Sequence, residues 1–169
     1  FKYGPKIERI SMTQYPIISW HPDGERLLMV YPKKGQLMLR TYTFKDQQST
    51  ERPLAGLIQA NAMVFHPNGK YAVISGVANA RFESDLYKYT PSSGGIEPIT
   101  QDQWDDTDPA FSPDGTTLYF SSNRQFLSDG NAVEHFAADR MPVNYDICSI
   151  QWQNKIKTIT PVTETPDVS

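Results

Sequence analysis

The chain has 169 residues and a formal net charge of −3, with 19 acidic side chains against 16 Lys and Arg. This balance excludes the basic stripe with which nucleic-acid-binding domains hold phosphates. No apolar run approaches the roughly 20 residues of a membrane-spanning helix, which argues against direct membrane insertion. A single cysteine excludes an internal disulfide.

A four-residue turn recurs three times: HPDG begins at His21, HPNG at His66 and SPDG at Ser112. The spacings are 45 and 46 residues, within the roughly 40–50 residues of a four-stranded propeller blade. Pro presets φ at the second position, Asp or Asn tolerates the third, and Gly closes the turn. Each copy lies between two apolar runs, so each is predicted to join the first and second strands of a blade.

In chain order, residues 1–12 are predicted to supply the outer strand of a preceding blade. Residues 14–58, 59–102 and 104–162 are predicted to form three four-stranded antiparallel blades, and residues 163–169 a lead-in to a further blade. The second strands (LLMVY, YAVIS and TLYFS) are unbroken apolar runs, which indicates burial on both faces. Propeller blades meet this condition because each small sheet lies between two neighbours. We therefore predict an all-β fold, a partial β-propeller of about three blades.

A family resemblance follows from the third unit. There SPDGTTLYFSSNR is followed by YDICSI, in which Asp146 opens the third strand as Asp85 does in the second unit. This pattern resembles the Pro-Asp (WD40-like) repeat of TolB-like β-propeller proteins, which also occurs in the propeller domains of tricorn and prolyl oligopeptidase-type peptidases. The resemblance covers about residues 14–160 and is weakest in the first unit, where Gln36 replaces the acid. It implies that the chain is an excerpt of a six- to eight-bladed propeller.

The sequence offers no catalytic motif. It contains no G-x-S-x-G elbow, no HExxH and no clustered Cys/His set. His21 and His66 occupy the first turn position, where a side chain can hydrogen-bond to the turn backbone, so we assign them to the turns. Cys148 lies in a predicted strand, where a buried and unreactive thiol is expected. We expect neither a catalytic residue nor a cofactor in this segment.

An acidic loop, DQWDDTD, occupies residues 102–108. Carboxylates at this density can bind a hard cation such as Ca²⁺, for which Asp105, Asp106 and Asp108 are the candidate ligands. We favour the alternative that they cap turns and solvate a loop between blades. Trp104 is interpreted as a packing residue between blades, with contact to a ligand as the alternative.

The third unit also carries an insertion. From the end of the second strand to the residue that opens the third, the intervals are 6, 10 and 25 residues. The excess over the first unit is 19 residues, at about residues 124–144, and a short helix is predicted over residues 132–140. Alternate connections of a meander point to alternate ends, so this insertion and the acidic loop are predicted to share one rim, opposite the turns.

Loops on a rigid scaffold are the usual place for binding residues. A surface helix without a partner is the alternative for the insertion. The partner-binding candidates on this rim are Trp104, Asp105, Asp106, Arg124, Phe126, Asp129, Glu134, His135 and Arg140.

Two function classes remain open. The resemblance to TolB-like proteins implies a non-catalytic scaffold that presents loops to a protein or peptide in the bacterial periplasm or cell envelope, alongside the rest of its propeller. The resemblance to prolyl oligopeptidase-type enzymes implies a propeller that gates access to a serine peptidase domain outside this segment. A sugar-processing or lyase propeller with a channel-bound cation is a third, weaker alternative.

Overall fold

Three β-sheets make up the described part of the chain, residues 16–78, 83–127, 130–131, 133 and 144–165 of a computed structural model. Each sheet has four strands. The first contains β1 (Ile17–Trp20), β2 (Arg26–Lys33), β3 (Gln36–Thr43) and β4 (Gln48–Pro53), and the second contains β5 (Leu57–Phe65), β6 (Ala72–Ala78), β7 (Asp85–Thr90) and β8 (Gly95–Pro98). The third contains β9 (Asp106–Phe111), β10 (Thr117–Ser122), β11 (Asp146–Gln151) and β12 (Ile159–Pro161).

Every sheet is an antiparallel meander in which neighbouring strands pair in chain order. The first strands of successive sheets also touch, because β5 contacts both β1 and β9. No helix occurs in the described residues. The predicted all-β architecture of about three four-stranded blades is therefore confirmed. The strand predicted within residues 1–12 lies outside the described residues, as does most of the predicted helix at 132–140.

The apolar core lies between the blades. One cluster joins the first blade to the second and includes Leu28 and Val30 packed with Phe65 and Ile74. A second cluster joins the second blade to the third and includes Val73 and Leu86 with Leu118, Phe120, Cys148 and Ile150. Side chains that alternate along β6 thus enter different clusters, which explains why this strand is apolar at successive positions. Burial raises the pKa of the Cys148 thiol to about 12, as expected for an unreactive buried cysteine.

The three repeated turns have the same backbone geometry. In each turn the glycine N–H donates to the carbonyl of the first residue, at 3.0 Å, 2.8 Å and 2.8 Å. The glycines Gly24, Gly69 and Gly115 have φ of 70°, 70° and 73°. The third residue accepts from the backbone beyond the turn: the Oδ1 atoms of Asp23, Asn68 and Asp114 accept the N–H two residues later. The prediction of equivalent hairpins is confirmed.

Each turn histidine also reaches the next blade. His21 Nε2 lies 2.9 Å from the carbonyl oxygen of Gly69, and His66 Nε2 lies 3.0 Å from that of Gly115. The Nδ1 atom of each ring accepts the backbone N–H two residues later in its own turn. Because a carbonyl oxygen can only accept, Nε2 is the donor in each contact between blades. The assignment of these histidines to the turns is correct but incomplete, since they also link successive blades.

Ser112 replaces histidine in the third turn and acts only within it. Its hydroxyl donates to Asp114 Oδ1 at 2.6 Å and accepts from the N–H of Thr117 at 3.0 Å. The Ser112 hydroxyl and the N–H of Thr116 lower the pKa of Asp114 to about 2.

A first prediction concerns glycine at the linked turns. A Cβ at Gly69 would lie 2.7 Å from His21 Cε1, whereas a Cβ at Gly24 would meet nothing within 4 Å. Both glycines have positive φ, so alanine at either site costs about 1 kcal/mol of backbone strain. We expect Gly69→Ala to cost a further 1–3 kcal/mol or so, from overpacking against the ring. Urea unfolding of the two variants measures the difference.

The double variant His21→Ala/Gly69→Ala tests the cause. In a protein that already carries His21→Ala, the total loss of unfolding free energy caused by Gly69→Ala should fall to the loss that Gly24→Ala causes in the wild type. Equal costs for the two single variants would contradict the steric link between blades.

Candidate interaction rim

The acidic loop and the ends of the insertion lie together at the end of the blades opposite the turns. Residues 99–105 join β8 to β9, so Asp106–Asp108 of the predicted acidic loop belong to β9 itself, and residues 123–145, which contain the insertion, join β10 to β11. The backbone N–H of Asp105 donates to Asn123 Oδ1 at 2.8 Å, and Arg124 Nη1 donates to Asp102 Oδ2 at 2.7 Å. For the described residues, the predicted shared rim is confirmed.

A buried guanidinium holds this rim together. Arg124 is only 6% exposed and contacts both Asp102 and Asp106, with its Nη2 atom 3.0 Å from Asp106 Oδ2. Asp106 opens β9 and is fully buried. Burial raises the pKa of the Asp106 carboxyl to about 6, against the opposing effect of the nearby Arg124 charge. The arginine thus provides positive charge for Asp106, which is removed from water, and for the half-buried Asp102.

The acids that open the third strands anchor the loops that follow the fourth strands. Asp85 Oδ1 accepts the N–H of Asp102 at 3.2 Å, and Asp146 Oδ1 accepts the N–H of Thr165 at 2.8 Å. The first blade has Gln36 at the equivalent position. Its fourth strand is followed by a shorter connection, residues 54–56, than the connection at residues 99–105 that follows the second blade. The repeated acid therefore has a structural role in fixing the connection between blades.

Three carboxylates converge at this end, but they are not the three candidate ligands of the alternative cation site. Oxygens of Asp85, Asp102 and Asp106 lie within 4.8 Å of one another. Asp108 is exposed, with φ of 50° at an irregularity in the pairing of β9 with β10. Asp105 accepts the N–H of Ser84 at 2.8 Å instead. Of the candidate ligands Asp105, Asp106 and Asp108, only Asp106 therefore belongs to the cluster of three carboxylates. The Arg124 guanidinium contacts two members of that cluster, Asp102 and Asp106.

Several partner-binding candidates are buried. Trp104 is 1% exposed, as its packing interpretation requires, and Asp106 and Arg124 are buried in the ionic network. These three side chains therefore do not form an exposed contact surface in this structure. Asp106 and Arg124 were candidates because charged side chains are usually exposed, and the residues that compensate their charges lie far away in the sequence. Asp105 and Phe126 are half-buried, and Asp129, Glu134, His135 and Arg140 lie outside the described residues.

The described start of the insertion is held by two backbone hydrogen bonds. Gly130, with φ of 81°, donates its N–H to the carbonyl of Leu127, and Val133 donates to that of Gln125. Phe126 packs against the core cluster between the second and third blades. These backbone bonds and the half-buried Phe126 ring therefore hold the described start of the insertion against the third blade.

The exposed part of the rim contains residues that the sequence analysis missed. Tyr145 is 47% exposed and donates its hydroxyl to Asp105 Oδ2 at 3.2 Å. Burial, followed by the charge of Asp105, raises the pKa of the Tyr145 hydroxyl. Leu127 and Ile147 are 53% and 44% exposed. Leu127 lies within the insertion, and Tyr145 and Ile147 flank Asp146, the acid that opens β11. These sequence positions could have identified them as candidates.

Comparisons with known proteins place the fold. No protein-family profile matches the chain. The chain is 30% identical over 113 residues to an uncharacterized peptidase, YuxL, from Bacillus subtilis; the match covers 66% of this chain and 15% of YuxL. Among solved structures it is similar to TolB from Acinetobacter baumannii, with a TM-score of 0.63 and 15% identity over 90% of this chain and 33% of TolB.

Two further structures are similar. A TolB-type protein from Agrobacterium tumefaciens has a TM-score of 0.60 at 13% identity, over 86% of this chain and 48% of that protein. A prolyl endopeptidase has a TM-score of 0.53 at 17% identity, over 80% of this chain and 20% of the enzyme. The chain has the propeller-blade fold of these proteins. It spans less than half the length of each of them.

Within the described residues, no helix is long and apolar enough to cross a membrane.

A second prediction concerns pH. The pKa of Asp106 is about 6 in the folded chain against an ordinary 3.8, so below pH 4 both folded and unfolded chains hold the proton. Between pH 4 and 6 the unfolded chain releases it while the folded chain retains it. This group therefore lowers the free energy of unfolding by roughly 3 kcal/mol as the pH rises through that range. Asp106→Asn cannot make this contribution.

The measurement is urea unfolding of the wild type and Asp106→Asn from pH 4 to 7. The stability of the variant relative to the wild type should rise by about 3 kcal/mol and level off above pH 6. Parallel pH profiles would show that Arg124 keeps Asp106 ionised throughout.

Proposed function

We propose that this chain is a non-catalytic propeller scaffold whose rim, formed by residues 102–108 and the insertion, binds a protein or peptide. The observation that supports the proposal most directly is the combination of exposed and buried groups there. Leu127 and Tyr145 expose apolar surface, while Arg124 binds Asp102 and Asp106 at the same end of the blades. Aromatic side chains held rigidly lose little conformational entropy on binding, and tyrosine is enriched at binding hot spots.

The insertion enlarges this surface, because it lengthens the connection between the second and third strands of the third blade. The connections between second and third strands have two residues in the first blade, six in the second and 23 in the third. Connections of this length are uncommon in compact domains and are often functional. The fold similarity to TolB proteins supports a role as a binding module, and by that resemblance a location in the bacterial cell envelope.

A third prediction tests the rim. A peptide selected from a phage-displayed random library on the immobilised protein, then labelled, serves as the probe in fluorescence anisotropy. Tyr145→Ala should weaken its binding by about 30-fold if Tyr145 is a hot spot. Phe44→Ala is the matched control, because Phe44 is also 47% exposed but lies in the first blade just after β3.

Replacing residues 128–143 by a short Gly-Ser link, which leaves Phe126 packed against the core, gives a second readout. Binding should be lost with little change in melting temperature, because closure entropy varies by only about 0.6 kcal/mol per doubling of loop length. Selected peptides that bind equally to Tyr145→Ala and to the shortened chain would place the binding surface elsewhere.

A second candidate function is a propeller that gates a peptidase domain. The 30% identity to the peptidase YuxL favours it. In that case the catalytic serine belongs to sequence beyond this segment. The test is labelling of the complete gene product with a fluorophosphonate probe, which reacts with an activated serine. Labelling supports the gating function, and selective peptide binding at the rim without labelling supports the scaffold.

A further inference from the structure

A shallow, solvent-open cavity of about 530 Å³ lies at the turn end of the blades, away from the rim. This volume is within the range of roughly 300–1,000 Å³ for small-molecule pockets. Its walls come from three segments: the start of β2, the turn between β5 and β6, and the end of β7 with the turn that follows. The lining residues are Arg26, Gly69, Lys70, Tyr71, Lys88, Thr90, Pro91 and Ser92.

The contacts between blades bring these segments together. His21 binds the Gly69 carbonyl across the junction, and Arg26 is held beside His21 by its ion pair with Asp23 of the same turn. From the first blade, Arg52 Nη1 also donates to the Pro91 carbonyl at 3.0 Å. Both turns at this end of the second blade are therefore tied to the first blade. The cavity walls are fixed by the fold itself.

The charge of the cavity is positive in a chain whose net charge is −3. Three of its lining residues are cationic, and none of the described residues that line it is acidic. Arg26 is paired with Asp23 at 2.7 Å. Lys88 has only a loose pair with Glu97, at 3.4 Å. No ion pair of Lys70 occurs among the described residues, so two of the three cations are weakly compensated or uncompensated.

A further lysine adds to this field. Lys88 Nζ lies 5.7 Å from the centre of the Tyr71 ring, which stacks on Trp152 at 5.3 Å, and Lys157 Nζ lies 4.6 Å from the centre of the Trp152 ring. Burial, and then the charge of Lys88, lower the pKa of Lys157. Two ammonium groups thus repel each other across a pair of aromatic rings. An anion placed near Lys88 would reduce that repulsion.

We propose that this cavity binds a ligand with clustered carboxylates, as a site separate from the rim. The lysines provide several point charges for anionic oxygens. The Tyr71 ring and Pro91 offer apolar surface to the carbon skeleton between the carboxylates. Inorganic phosphate carries the charge but has no carbon skeleton, so the walls match a polycarboxylate better. An acidic protein segment and a free tricarboxylate share this chemistry.

Isothermal titration calorimetry with citrate and with a hexaglutamate peptide tests the proposal, with pyrophosphate for comparison. The wild type should bind at least one of the two carboxylate probes with saturation, and more tightly than pyrophosphate. Raising NaCl from about 0.02 M to about 0.3 M should weaken this binding, because screening acts on exposed charges. Tighter binding of the peptide indicates a protein segment as the natural ligand, and tighter binding of citrate indicates a small molecule.

Lys70→Gln and Lys88→Gln should each raise the dissociation constant about fivefold, as expected for one exposed ionic contact. Lys45→Gln is the matched control, because it removes the same charge at an exposed position that does not line the cavity. Unchanged melting temperatures show that the variants remain folded. The proposal is overturned if neither carboxylate probe saturates, if pyrophosphate binds as tightly, or if Lys45→Gln weakens binding equally.

Discussion

Packing of blade against blade is the constraint on which this structure depends. β6 shows it most clearly, because six consecutive residues from Ala72 to Val77 are buried. Ala72 and Ile74 pack toward the first blade while Val73 packs toward the third. A four-stranded sheet that is apolar on both faces cannot be stable in water alone, and it becomes stable only between neighbours. The core is therefore a series of interfaces rather than one central cluster.

Apolar packing does not by itself set the position of one blade against the next, since it has little directionality. Polar contacts at both ends supply that position. At the turn end, His21 and His66 each bind a glycine carbonyl of the following turn. At the other end, Asp85 accepts from the loop that leads into the third blade, and Arg124 binds that loop through Asp102. Each interface between described blades is thus fixed by directional bonds outside its apolar centre.

Local features of the fold were predictable from the sequence, whereas contacts between repeats were not. Gly24, Gly69 and Gly115 could be identified because a turn is determined by adjacent residues. The bond from His66 to Gly115 spans 49 residues and depends on the offset between blades, which no local pattern specifies. Arg124 was assigned to the surface because an arginine after a strand is usually exposed. Its burial follows from Asp102 and Asp106, which supply compensating charges across a distance in sequence.

Charged groups are buried and paired at the rim, whereas Lys70 at the turn end is exposed to water. The buried groups stabilise the fold, and the exposed lysine is available for binding. A buried carboxylate such as Asp106 needs a partner or a proton, since an unpaired charge inside the fold is costly. Arg124 is therefore committed to the structure, and substituting it would disturb the fold before any binding function could be observed. Lys70 is exposed, and water hydrates its charge at little cost. Nothing in the fold requires an anion beside it, so a ligand at the turn end can bind and leave without changing the interfaces that hold the blades together.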